Sequence, residues 1–109
     1  MNTGYKCVMA IVNNGFAEEA MEAAKACGAR GGTILNARGT MSKDAEKTFG
    51  ITIQPDKEIV MILVQDELTD GILKGLYNAI GTSTKARGIV FAIPVDEAVG
   101  LGNAPKTNE

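Results

Sequence analysis

Histidine and tryptophan are both absent from the 109 residues. Without imidazole there is no Ser-His-Asp or Cys-His catalysis, no histidine-ligated zinc and no switch driven by imidazole titration. Only two cysteines occur, Cys7 and Cys27. They form no CxxC pair and cannot by themselves build a four-thiolate metal site or a disulfide framework. The expectation is two reduced, buried thiols in a cytoplasmic protein. Charge of one sign is lacking as well, with 11 basic residues against 13 acidic ones, a net of −2. That balance leaves no electrostatic footprint for duplex nucleic acid or an anionic membrane. No apolar run exceeds six residues, the length of Ile59 to Val64, far short of a membrane span. Residues 1–12 lack the basic start and long apolar run of a secretory signal.

The rest is ordinary globular material. Apolar residues make up 45% and charged residues 22%, so the chain reads as a single domain over residues 1–109. Tyr5 to Val12 is β-branched and apolar and is stopped by Asn13-Asn14-Gly15, a buried strand. From Phe16 to Cys27 the period changes. Ala17, Ala20, Met21, Ala24 and Cys27 fall at helical spacing, Glu18, Glu19 and Glu22 form the wet face, and Gly28 is a natural stop.

Thr33 to Arg38 reads as a second strand. Gly39 to Gly50 is polar and aperiodic, an exposed loop. Ile51-Thr52-Ile53 is either the far arm of a hairpin or the start of the next strand. Glu58 to Gln65 is the strongest strand, apolar on both faces and hence central. Asp66-Glu67 opens a helix running from Leu68 to Ile80, with Gly71 and Gly75 spaced for close approach of another backbone. Gly81 to Gly88 is a small-residue basic loop, and Ile89 to Val95 is the last strand. The tail frays beyond Gly102.

The order βαββαβ with right-handed crossovers puts the first and third strands side by side in an antiparallel sheet, with both helices on one face. This is the α+β ferredoxin-like fold. Its other face has no covering element, so self-association is expected.

No active site stands out. The glutamates of the first helix read as a solvated face. Cys7 has no neighbouring charge in the sequence to activate it. An acylphosphatase-type enzyme needs an arginine after the first strand, and Asn13-Asn14-Gly15 offers none. The strands also lack the aromatic platforms of an RNA-binding sheet. Two loops combine glycine, hydroxyls and cations, the mixture that holds phosphate. They are Arg30-Gly31-Gly32-Thr33, running to Arg38-Gly39-Thr40, and Gly81-Thr82-Ser83-Thr84-Lys85-Ala86-Arg87-Gly88. Neither matches GxxxxGK[ST] or GxGxxG.

With these stretches the sequence resembles the PII signal-transduction family. Gly28-Ala-Arg-Gly-Gly-Thr-Ile-Leu-Asn-Ala-Arg-Gly39 is similar to the first-helix exit and second strand of that family. Gly88-Ile-Val-Phe-Ala-Ile-Pro-Val95 with Asp96-Glu97 is similar to its last strand. Ala10-Ile-Val, Glu18-Glu19-Ala20 and Gln65-Asp66-Glu67-Leu68 fit in order, so the resemblance covers residues 5 to about 101.

The resemblance implies a non-catalytic, PII-like regulator that forms a homotrimer through the uncovered sheet faces. It implies ATP or ADP bound between subunits, without a required metal. It also implies a T-loop, residues 39–54 here, that docks on a target such as a membrane transporter or an enzyme of nitrogen metabolism. The nucleotide-binding positions it points to are Gly31, Thr33, Arg38 and Gly39, with Thr82, Lys85, Arg87 and Gly88 in the loop before the last strand.

The chain departs from the family where phosphates are held. Ile89 replaces a lysine, and Leu101-Gly102 stands where two arginines are usual. The family's modified tyrosine has no counterpart in residues 39–54. An adenine nucleotide is the first expectation, with ADP, AMP or another small anion competing well against ATP. The alternatives on the same fold are an ACT-like amino-acid-binding module and a CutA-like trimer. CutA-like metal roles are disfavoured by the lack of histidine.

Overall fold

The structure, a computed structural model, describes residues 3–40 and 55–101. The elements run β1 (Tyr5–Asn13), α1 (Ala17–Ala26), β2 (Thr33–Arg38), β3 (Asp56–Gln65), α2 (Asp66–Ile80) and β4 (Ile89–Pro94). They form a four-stranded sheet in the order β2-β3-β1-β4, antiparallel at every pairing. This is the expected α+β ferredoxin-like arrangement. The boundaries differ in detail from the sequence reading: α1 and β4 are slightly shorter, whereas β1 continues through Asn13 and β3 begins at Asp56. The two extensions have one cause, because Asn13 pairs with Lys57 and so lengthens both central strands together. Most of the expected 39–54 loop, and the tail from residue 102, lie outside the described residues.

Alternation along the strands sorts side chains to two faces. Val8, Ala10 and Val12 of β1 and Val60, Ile62 and Val64 of β3 point to the helices and are fully or almost fully buried. They meet Ala17, Ala20, Met21 and Ala24 of α1 and Ile72, Leu76 and Ile80 of α2. Small residues on α1 let that helix lie close to its neighbours. Where α1 meets α2, a side chain at Gly75 would run into Cys27 Sγ, whereas Gly71 faces open space. Only one glycine of the pair therefore serves a close approach.

The opposite face is also apolar, and no element of the described chain covers it. Cys7, Met9 and Ile11 pair there with Leu63, Met61 and Ile59 on one side and with Ile93, Phe91 and Ile89 on the other. Leu63 is 50% exposed, Ile89 58% and Ile93 45%. Contiguous apolar surface of this kind marks an interaction surface rather than an ordinary solvated sheet. Among the described residues no helix is long and apolar enough to cross a membrane.

Cys7 sits within this face. Neither thiol is fully buried: both Cys7 and Cys27 are half-buried and free, which corrects the expectation of buried thiols. The β-strand location still desolvates Cys7, and burial pushes its thiol up, opposed in part by a hydrogen bond with the Ile62 backbone. A raised pKa leaves less thiolate near neutral pH, and the thiolate is the nucleophile. Iodoacetamide at pH 8 should therefore alkylate Cys7 several-fold more slowly in the native protein than in the urea-unfolded chain. Raising the pH should narrow the gap. Equal rates at pH 8, read by peptide mass analysis, would contradict this environment.

Candidate functional site

The end of the sheet where β1 and β2 finish and β3 begins gathers most of the chain's interesting chemistry. Arg38 pairs with Asp56 across β2 and β3, and the Gly39 N–H extends that ladder to the Pro55 carbonyl at 2.7 Å. The Asn14 N–H reaches the Asp56 carbonyl at 3.1 Å. The connection from α2 to β4 folds over the same end, because the Asn13 N–H donates to the Ala86 carbonyl at 2.9 Å. Arg38 and Gly39 thus lie at the same end of the sheet as the loop that carries Thr82, Lys85, Arg87 and Gly88, but across β3 and β1 from it.

That loop is held closed by its own backbone. The Gly81 N–H donates to Tyr77 O, Thr84 N–H to Gly81 O, Arg87 N–H to Thr84 O and Gly88 N–H to Ile80 O, at 2.7–3.1 Å. Thr84 Oγ1 donates to the Gly81 carbonyl as well. Ala86 is buried beneath the loop, while Thr82, Lys85 and Arg87 are exposed. The glycines have a packing origin. A Cβ on Gly81 would strike the Tyr77 carbonyl, and one on Gly88 the Ile80 carbonyl. The left-handed residue of the loop is Arg87, at φ 49, a conformation that strains a side-chain-bearing residue. The loop therefore presents cations and hydroxyls from a fixed turn; its glycines are there to close it.

Two residues not singled out from sequence also lie here. The Lys57 ammonium donates to Asn13 Oδ1 at 2.6 Å. Its aliphatic stem packs on Gly39, where an added Cβ would come within 2.9 Å of Lys57 Cε. The only signal for this cluster is the β1–β3 register, which places Lys57 opposite Asn13. Composition and spacing do not carry that information.

Gly31 and Thr33 lie elsewhere. Thr33 pairs with Met61 and Arg38 with Asp56, so the two ends of β2 stand five strand steps apart, about 17 Å. Both Gly31 and Thr33 are exposed. The segment leading to them borders a cavity of about 340 Å³, lined among others by Tyr5, Ala29, Arg30, Leu63, Gln65 and Leu101. Such a volume lies at the lower end of small-molecule sites. The structure thus sets Arg38 and Gly39 on the edge strand β2 and the 81–88 loop ahead of the opposite edge strand β4, at one end of the sheet with β3 and β1 between them, and leaves Gly31 and Thr33 at the other end.

The turn after β1 is closed to anions. Glu58 Oε1 accepts the Gly15 N–H at 2.8 Å and the Ala17 N–H at 3.2 Å. The Gly15 amide and the first amide of α1 are therefore already taken by a carboxylate of the same chain. A phosphate cradle of the acylphosphatase type has no room there. Among the described residues no group of three or more Cys, Asp or Glu side chains is arranged to hold a metal ion.

Comparison with known proteins agrees with this architecture. The structure is similar to that of Arabidopsis thaliana PII bound to citrate, with a TM-score of 0.67 and 19% sequence identity over 92% of this chain and 82% of the plant protein. It is also similar to a functionally unknown protein from Pediococcus pentosaceus, with a TM-score of 0.63 and 19% identity over 90% of this chain and 98% of the other. At that identity the likeness speaks for the fold. No curated protein matches the sequence significantly. The sequence model of the family described as "Nitrogen regulatory protein P-II" matches residues 5–103. Nearly the whole chain, in sequence and in fold, is accounted for by that match, and the protein belongs to the P-II family of signal-transduction regulators.

Proposed function

We propose that three copies of this chain pack through their uncovered sheet faces and hold a small anionic ligand, foremost an adenine nucleotide, in the seams between copies. Occupancy is then passed through residues 39–54 to a target protein such as a transporter or a metabolic enzyme. Proteins of this family are regulators, are generally trimeric and bind small effectors. That background replaces the ACT-like and CutA-like alternatives.

The observation that carries the reading is the separation of the two ends of β2, with Gly31 and Thr33 at one and Gly39 at the other. Gly31 and Thr33, beside their cavity, are about 17 Å along the strand from the cation-bearing end, too far for one small ligand to touch both in a single chain. A second copy laid against the open face supplies the missing half. The base and sugar are then held near Gly31 and Thr33 of one copy. The phosphates reach Gly39 and the exposed Thr82, Lys85 and Arg87 of another.

Cation supply favours the shorter phosphate chains. Ile89, where the family has a lysine, adds an exposed apolar side chain to the open face. Each charge-assisted hydrogen bond that is missing removes roughly 1.5–3 kcal/mol from phosphate binding. The citrate in the Arabidopsis protein is likewise a small polyanion, which keeps non-nucleotide anions among the competitors.

Calorimetric titration with ATP, ADP and AMP tests the site. The expected result is one nucleotide per chain, with ATP bound no more tightly than ADP. Gly39→Val, whose side chain displaces the Lys57 stem, should weaken binding by about tenfold, the loss of one charge-assisted contact. Its melting temperature should stay near that of the parent. Silence with all three nucleotides would overturn the ligand assignment.

Sedimentation equilibrium tests the assembly. The parent should run at three protomer masses. Phe91→Asp, which buries a carboxylate in the joint, should dissociate it at micromolar concentration. A single-protomer mass for the parent would remove the seams on which the site depends.

A further inference from the structure

Asn13 closes β1 directly opposite Lys57, and it carries two hydrogen bonds in opposite senses. Its Oδ1 accepts from Lys57 Nζ at 2.6 Å, and its Nδ2 donates to the Lys85 carbonyl at 3.0 Å. Its own N–H donates to the adjacent Ala86 carbonyl. One side chain therefore ties the start of β3, beside Gly39, to the loop that bears Lys85 and Arg87. A carboxamide has an acceptor and a donor on one carbon, which this bridge requires; a carboxylate of the same shape cannot donate to a carbonyl.

The bridge is also electrically neutral. It fixes the Lys57 ammonium without cancelling its charge. The carboxylate beside Lys57 in sequence, Glu58, is turned to the amides that open α1. Asp56 stands opposite Arg38 in the strand register. Among the described residues the ion pair is Lys6 with Asp66, at the far end of β1. Lys57 is thus a positioned cation whose partner is an amide.

We propose that Asn13 is a positioning residue of the ligand site. Its carboxamide holds Lys57 beside Gly39 as an un-neutralised cation and links it to the 81–88 loop. Capture of an anionic group by Lys57 and the placement of that loop are then a single event. This rests on the ligand reading above and adds to it which residue makes the two elements act together. An anion that draws Lys57 toward itself competes with Asn13 Oδ1, while Asn13 Nδ2 keeps its bond to the Lys85 carbonyl. An amide that loses one partner keeps the other, so the coupling has the size of a single hydrogen bond.

The experiment is calorimetry with ADP and with inorganic pyrophosphate on the full chain and on Asn13→Asp, Asn13→Ala, Lys57→Met and the Asn13→Ala/Lys57→Met pair. Asn13→Asp converts the bridge into an ion pair and repels the Lys85 carbonyl, so ADP binding should weaken about tenfold, the loss of one charge-assisted contact. Asn13→Ala should weaken it less, about threefold, and that loss should vanish once Lys57 is already methionine, the signature of coupled sites. A residue that merely supports the fold would lose the same affinity in either background. Should Asn13→Asp fail to fold, the alanine–methionine cycle decides alone. Parent-like ADP affinity in Asn13→Asp, or additive losses in the double variant, overturns the role of Asn13 and leaves the ligand reading intact. A parent chain that binds neither probe overturns the ligand reading and this inference with it.

Discussion

A four-stranded sheet has two faces, and this chain brings two helices to one of them. The central strands are apolar on both. Val8, Ala10 and Val12 need the helices; Met9 and Ile11, one step out of phase, need something else. Burial is favourable by about 25 cal/mol per Å² of apolar surface, so a continuous apolar face left in water is a strong drive toward association. The position of the site follows from this imbalance. On the proposed reading another copy covers this surface, and the two glycine-bearing segments lie along the margins of the seams so created.

Each margin has its own physical character. Near the Gly31 end a cavity is lined by the apolar Leu63, Leu101 and Ala29 together with the polar Arg30 and Gln65. The opposite end is a hydrogen-bonded knot of strand ends and a closed loop from which Lys85 and Arg87 project. A nucleotide has the same division, an aromatic base at one end and charge at the other. On the proposed reading, the match of a two-part ligand to a two-part site links the fold to signalling. Occupying the site bears directly on Gly39 and Lys57, where the chain leaves β2 and enters β3.

Much of this was legible in the sequence, for identifiable reasons. The helical spacing of Ala17, Ala20, Met21 and Ala24 and the two-faced apolarity of Ile59 to Val64 follow from packing periodicity, and both reappear as observed. The element order fixed the strand neighbours. Pairing register was not legible, because it depends on how Asn13 and Lys57 extend β1 and β3 together beyond the apolar runs. For that reason the Lys57–Asn13 contact escaped notice, although both residues sit at the site. The glycines of the 81–88 loop carried an ambiguous signal. Their composition resembles a phosphate cradle, yet Gly81 and Gly88 are small because carbonyls of α2 press on them. Cys7 and Cys27, expected inside, are half-exposed because one lies on the uncovered face and the other at the end of a short helix.

A ligand site built from two chains is tested most directly by subunit mixing. Gly31 faces open space, so Gly31→Trp obstructs one half of the site, and Gly39→Val obstructs the other. At an ADP concentration near the parent's Kd, each variant alone should leave most of its sites empty, since a tenfold weaker site is then about one-tenth filled. Refolded together at equal concentration, they should regain about a quarter of the parent's sites, the share of seams at which two intact halves meet in a randomly mixed ring. No recovery from a well-mixed assembly would show that each chain carries a complete site of its own, contrary to this account.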